Sequence, residues 1–117
     1  MQVIHPEEIP AKPVVTEGAE KTAMRQLITA EMGAPTFAMR MFEVEPGGNT
    51  PLHDHAWEHE VFILAGSGEL RGPDSAQAFA AGDAVFVRPG ATHQFVNTGS
   101  EALRFLCMIP VEEPSCR

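Results

Sequence analysis

The 117 residues form a chain of single-domain size, long enough to bury a core without staples. Its net charge of −8 is not offset by any cluster of Lys and Arg, so nucleic acid and anionic membranes are discounted as partners. Cys107 and Cys116 are too few for a disulfide framework and form no CxxC pair, and the absence of tyrosine closes every mechanism that needs a tyrosine acid.

Residues 1–20 carry Pro6, Pro10 and Pro13 among polar and β-branched residues, which predicts an extended arm ahead of a barrel over 21–117. The N-terminus lacks a basic segment followed by an apolar run, and no apolar run reaches the ~20 residues of a membrane helix. With reduced thiols as the default, a cytoplasmic protein is expected. Residues 22–30 contain helix formers, but the run is short and Gly33 and Pro35 follow closely, so a strand is expected there. Further on, short runs rich in Val, Phe and Ile are divided by Gly, Pro, Asn and Asp turns. They cover Phe37–Val44, Glu60–Leu64, Glu69–Arg71, Ala76–Ala80, Ala84–Arg88, His93–Val96 and Ala102–Ile109. Many short strands at such spacing predict an all-β sandwich or barrel.

Four of the five histidines fall into two short segments, Gly47-x5-His53-x-His55-x3-His59-x6-Gly66 and Gly82-x10-His93-x3-Asn97. On an extended chain His53 and His55 share a face; His59 shares one with Val61 and Ile63, and His93 with Phe95. Isolated histidines are usually structural or solvated, and His5 in the arm is read that way. Four in two glycine-bounded segments predict a metal site built of neutral imidazoles.

The first segment resembles the first cupin motif, G(X)5HXH(X)3,4E(X)6G, with His59 where that motif has Glu. The second is similar to the second cupin motif, G(X)5PXG(X)2H(X)3N, through Gly82, Gly90, His93 and Asn97, with Arg88 at the proline position and Pro89 one residue later. The segment Ser67–Ala81 is short, as in small bacterial cupins. The runs Phe37–Gly48, His55–Leu64 and Phe105–Pro110 are similar to small single-domain cupins with a four-histidine site. The resemblance spans about residues 22–110.

It implies a small double-stranded β-helix, or jelly-roll, barrel with one divalent transition metal per chain on His53, His55, His59 and His93. Manganese comes first by resemblance, with Fe, Cu, Ni and Zn as alternatives. Glu60 is the rival third ligand, but His59 keeps the spacing to Gly66, and Glu60 falls on the opposite strand face with Phe62 and Leu64. Replacing the motif's Glu leaves the metal its full double charge, which strengthens it as a Lewis acid and departs from the oxalate-degrading and germin-like cupins. Protonation of imidazole near pH ~6.5 predicts metal loss below about pH 6.

The expected function is a metal-dependent oxygenase or oxidative-cleavage enzyme acting on a small organic molecule. The alternative is a non-catalytic metal-loaded module that binds or senses a small molecule. Phe105 and Cys107 are expected to line the pocket, with Cys107 also readable as a small buried hydrophobe. Trp57 reads first as core or interface packing and second as a pocket wall. Arg40, between Met39 and Met41, reads as an outer-face residue, with an inward anchor for a substrate carboxylate as the alternative. Met24, Met32, Met39, Met41 and Met108 read as core filling. A homodimer is expected, with the arm adding a strand to a sheet edge of its own subunit or of a partner.

Overall fold

A computed structural model describes residues 1–111; Cys116, named above, lies outside the described residues. The strands are β1 (Lys12–Pro13), β2 (Glu20–Ile28), β3 (Phe37–Asn49), β4 (His59–Ala65), β5 (Ser67–Arg71), β6 (Ala76–Ala80), β7 (Ala84–Val87), β8 (Gln94–Val96) and β9 (Leu103–Pro110). Single 3₁₀ turns occupy Pro6–Glu8 and Ala30–Met32. The all-β architecture expected from the sequence is therefore the one observed. Among the described residues no helix is long and apolar enough to cross a membrane.

The strands join antiparallel in the order β6-β5-β8-β3-β9-β4-β7, with β2 on β3 and β1 on β2. Strand β3 holds this sheet together. Its first part pairs β9 from Phe37 opposite Pro110 to Val44 opposite Leu103, while Asn49 at its far end pairs Val96 of β8. The run expected to end at Val44, ahead of the turn residues Pro46, Gly47 and Gly48, continues through them to Asn49 as one long strand, which carries the chain from one part of the sheet to another. Of residues 22–30, those up to Ile28 follow the strand expectation against their helix propensity, because pairing with β3 outweighs a few tenths of a kcal/mol per residue; Thr29 lies beyond the strand and Ala30 opens the second 3₁₀ turn.

Alternation selects the core. In β4, His59, Val61 and Ile63 are buried and Glu60, Phe62 and Leu64 exposed; in β9, Leu103, Phe105 and Cys107 are buried. The rings of Phe42, Phe105, Phe95 and Phe79 form a continuous column, with successive centroids 5.2, 4.7 and 5.9 Å apart. Each such contact contributes about 0.5–1.5 kcal/mol beyond area burial. Asn97 is buried at the end of β8, where its Nδ2 donates to the carbonyls of Val44 and Glu101 and its Oδ1 accepts from Gly99 N. Of the methionines expected in the core, Met41 is buried at 3 % exposure, but Met32 is 41 % exposed on its 3₁₀ turn.

The arm adds a short strand to β2 of the same chain. Lys12 and Pro13 pair Met24 and Ala23, and Arg25 Nη1 donates to the carbonyls of Pro6 and Ile9 at 2.8 and 3.1 Å. His5 is exposed as expected, and its Nδ1 accepts from Glu7 N at the first 3₁₀ turn.

Gly66, which closes the first histidine segment, sits at φ +86°, and a Cβ there would stand 2.7 Å from the Ala102 carbonyl oxygen and 2.9 Å from Leu103 Cα. Gly82 has φ +94° but open space around it. Urea unfolding should therefore show Gly66→Ala losing clearly more than the ~1 kcal/mol scale of a conformational mismatch, and Gly82→Ala losing less. Equal losses would remove the steric part of this account.

Candidate metal centre and its pocket

Two backbone hydrogen bonds bring the histidine segments together. His53 N donates to His93 O at 3.1 Å and His93 N to His53 O at 2.9 Å, forming an isolated antiparallel bridge. Gly90 N donates to His55 O, tying the loop before His93 to the same place. His59 enters as the first residue of β4, opposite Val87 of β7.

The imidazoles meet as a result. Ring centroids lie 4.1 Å apart for His53 and His55, 5.0 Å for His53 and His93, 4.7 Å for His55 and His59, and 5.0 Å for His59 and His93. His53, His55 and His93 each offer a nitrogen within 4.8 Å of the others. His59 stands against this trio but outside that tight set. Glu60, the rival ligand, is exposed on the outer face.

Neighbouring groups orient the rings. His93 Nδ1 lies 2.9 Å from the Ala91 carbonyl, so it is the donor and Nε2 keeps its lone pair for a ligand. His59 Nδ1 lies 3.0 Å from Cys107 Sγ, and its Nε2 is buried with no hydrogen-bond partner. The Nε2 atoms of His53 and His55 are 3.1 Å apart. Trp57 is buried, stacks flat on His55 at 4.7 Å and is not among the residues lining the cavity. Converging ring nitrogens, a lone pair freed by the Ala91 carbonyl and an orphaned His59 Nε2 all suit a bound metal cation.

Burial keeps the rings neutral. Desolvation first, and then the like charges of neighbouring imidazoles and Arg40, lower His53 and His55 to about 4. The same causes push His59 further down, and burial also lowers His93. Neutral imidazole is the metal-binding form, so the expected loss of metal below about pH 6 shifts to lower pH.

A cavity of about 110 Å³ opens over these rings. Phe42, Phe95 and Phe105 form apolar wall, and Cys107 reaches it while being buried at 2 % exposure. Of the two placements weighed for Arg40, the structure has the inward one, as a residue of the pocket lining, and not the outer-face one. Arg40 shares a strand face with Phe42 and Val44, turns inward, lines the cavity, and donates from Nη2 to Cys107 Sγ at 3.3 Å. Val14 and Thr16 of the arm, with Met24 and Thr50, also line the cavity and were not legible as site residues. Thr50 carries one weak signal, its place three residues before His53. Its Oγ1 accepts from Phe95 N and so fastens the approach to His53 onto β8.

The family model for the cupin domain matches residues 40–109. A polyketide cyclase, RemF from Streptomyces resistomycificus, is similar in structure at a TM-score of 0.92 and 39 % identity, covering 100 % of this chain and 84 % of that one. In sequence the chain is 37 % identical over 92 residues to the 1-methylthio-D-xylulose 5-phosphate methylsulfurylase of Rhodospirillum rubrum, covering 79 % of this chain. It is 35 % identical over 68 residues to an oxalate-binding protein of Thermotoga maritima, covering 57 % of this chain. The chain spans 58 % and 56 % of the lengths of these two curated relatives.

The pKa shifts have a defined sign. In the metal-free protein, folded His53 and His55 stay neutral to about pH 4, whereas in the unfolded chain they protonate from 6.5. The unfolded state therefore binds more protons in that window, and stability present above pH 6.5 is lost as pH falls toward 4. Thermal unfolding of metal-free protein should show Tm falling across this range, and metal should still be held at about pH 5. A flat Tm profile, or metal release at pH 6, contradicts the burial argument.

Proposed function

We propose that this chain, which belongs to the cupin domain family, holds one divalent transition metal on His53, His55, His59 and His93 and activates a small oxygen-donor molecule there. The observation that carries this reading is the donor set. Among the described residues the cavity wall holds four imidazoles and no carboxylate, so a bound ion keeps its double charge for the substrate. Such an ion supplies Lewis-acid polarisation of a carbonyl or carboxylate oxygen. Manganese stands first among the ions proposed; imidazole ligands equally suit Fe, Cu, Ni and Zn, and elemental analysis separates them.

The chain's own residues perform the rest. Burial holds the four rings neutral and ready to bind. Ala91 O orients His93 and Cys107 Sγ orients His59. The phenylalanine walls exclude water, and the arm residues Val14 and Thr16 complete the cavity lining. The three named relatives are a cyclase, a methylsulfurylase of a ketose phosphate and an oxalate binder. Two of the three are enzymes and one is a binder, so the catalytic reading rests on the donor set of this chain's own cavity.

Oxygenase chemistry is the second reading. One observation favours it: among the described residues the wall offers no Asp, Glu or Tyr as an independent proton carrier. Pairing with a second copy of the chain is part of the same proposal. Phe62, Leu64 and Phe86 are 43, 42 and 59 % exposed on the outer face of β4 and β7, and β7 ends the strand order. Two such faces related by a two-fold axis would cover each other.

Elemental analysis should find one metal ion per chain. His59→Ala should lower metal affinity at least about tenfold, whereas Glu60→Gln should not; the reverse result overturns the ligand assignment. Turnover without oxygen supports the Lewis-acid reading, strict oxygen consumption selects the oxygenase, and ligand binding with no turnover under any metal returns the protein to a binding module. Light scattering should show a dimer that Phe86→Asp converts to a monomer; a monomeric wild type ends the pairing idea.

A further inference from the structure

Among the described residues Arg40 is the one lysine or arginine in the cavity wall, and it arrives there without a counter-charge. The ion pairs of the described residues lie elsewhere, joining Glu43 to Arg25 and Arg104, and Glu69 to Arg71. Arg40 Nη2 donates to Cys107 Sγ at 3.3 Å, and the guanidinium lies 5.1 Å over the Phe42 ring. Its Nε is buried with no hydrogen-bond partner. A guanidinium held in an apolar recess with an unused donor is costly unless an anion joins it. A bound cation on neutral imidazoles would enlarge that positive excess, because the same wall holds no carboxylate.

Position narrows the anion further. Cys107 Sγ touches both Arg40 Nη2 and His59 Nδ1, the latter at 3.0 Å. The guanidinium and the imidazole cluster are therefore neighbours, not opposite ends of the cavity. Sulfur is a weak acceptor, so a carboxylate oxygen competes well for the Arg40 donors. The planar fork of arginine matches two carboxylate oxygens, and the Phe42 ring beneath it limits its tumbling.

We propose that Arg40 is the residue that selects an anionic ligand: a small carboxylate with a second oxygen donor on the adjacent carbon, as in 2-oxo acids, 2-hydroxy acids and the shortest dicarboxylates. One end of the anion pairs with the guanidinium while its oxygen donors face the imidazole cluster. This rests on the reading of the site as a metal centre and adds the charge and size of what it takes. A neutral molecule of the same shape leaves the Arg40 charge uncompensated and binds poorly.

Calorimetric titration of zinc-loaded protein with oxalate and with its neutral diamide, oxamide, tests this without relying on turnover. Wild type should bind oxalate at least about 100-fold more tightly than oxamide. Arg40→Gln should lower oxalate affinity about 30-fold, with zinc content unchanged and oxamide binding unaltered. Arg40→Lys keeps the charge without the fork and should lose about tenfold; it decides the matter if the Gln variant does not fold. Oxalate affinity within twofold of wild type in a zinc-replete variant overturns the assignment. If wild type takes up no zinc, the metal-centre reading falls by itself. The same titrations on metal-free protein then decide Arg40, and equal or absent oxalate binding by wild type and variant overturns its role.

Discussion

The reciprocal pair of backbone hydrogen bonds between His53 and His93 is the constraint on which the site depends. It extends the pairing of β3 with β8 beyond Asn49 and Val96, through the bond from Thr50 N to Phe95 O. Two segments distant in sequence are thereby set side by side, and their imidazoles are placed by backbone geometry, not by side-chain flexibility. The aromatic column of Phe42, Phe105, Phe95 and Phe79 lies beneath, so the walls of the cavity are also the top of the core. Site and fold share their packing, and a change at Phe95 or Phe105 disturbs both.

The cost of this arrangement falls on electrostatics. The ring nitrogens of four histidines converge, and the Nε2 atoms of His53 and His55, 3.1 Å apart, hold a hydrogen bond only when one ring donates to the other. A guanidinium without a counter-charge brings a positive charge to the same cavity, and the His59 Nε2 and Arg40 Nε atoms are left buried without partners. Such unsatisfied groups are expected where a protein gives up stability for function. A metal ion would engage the lone pairs, and an anion would then offset the combined charge. The two ligands relieve different parts of one imbalance, which couples their binding through charge.

Much of this was legible in the chain. The spacing singled out His53, His55 and His93, whose nitrogens lie within 4.8 Å of one another, and His59, whose ring lies against theirs; strand alternation placed Glu60 outside with Phe62 and Leu64. Arg40 was harder, because both faces of its strand are apolar: Met39 and Met41 on one, Phe42 and Val44 on the other. Period-two alternation cannot choose an inward face when the two sides score alike. The run Pro46-Gly47-Gly48 read as a strand end because those residues usually make turns, and only the pairing of Asn49 with Val96 shows the strand continuing. The arm's contribution through Val14 and Thr16 depends on where β1 docks, and no local pattern encodes that. The depression of the histidine pKa values is equally invisible in a linear sequence, since desolvation is a property of the packed site.

The central claim is a metal ion held by four imidazoles, with neither carboxylate nor thiolate among its protein ligands. X-ray absorption spectroscopy of the metal-loaded protein tests it most directly. The account predicts a first shell of nitrogen and oxygen only, whose outer-shell scattering fits four imidazole rings. A sulfur neighbour at the ~2.3 Å expected of a metal thiolate would move Cys107 into the ligand set, and a fit to three rings or fewer would remove a histidine from it; either contradicts the claim.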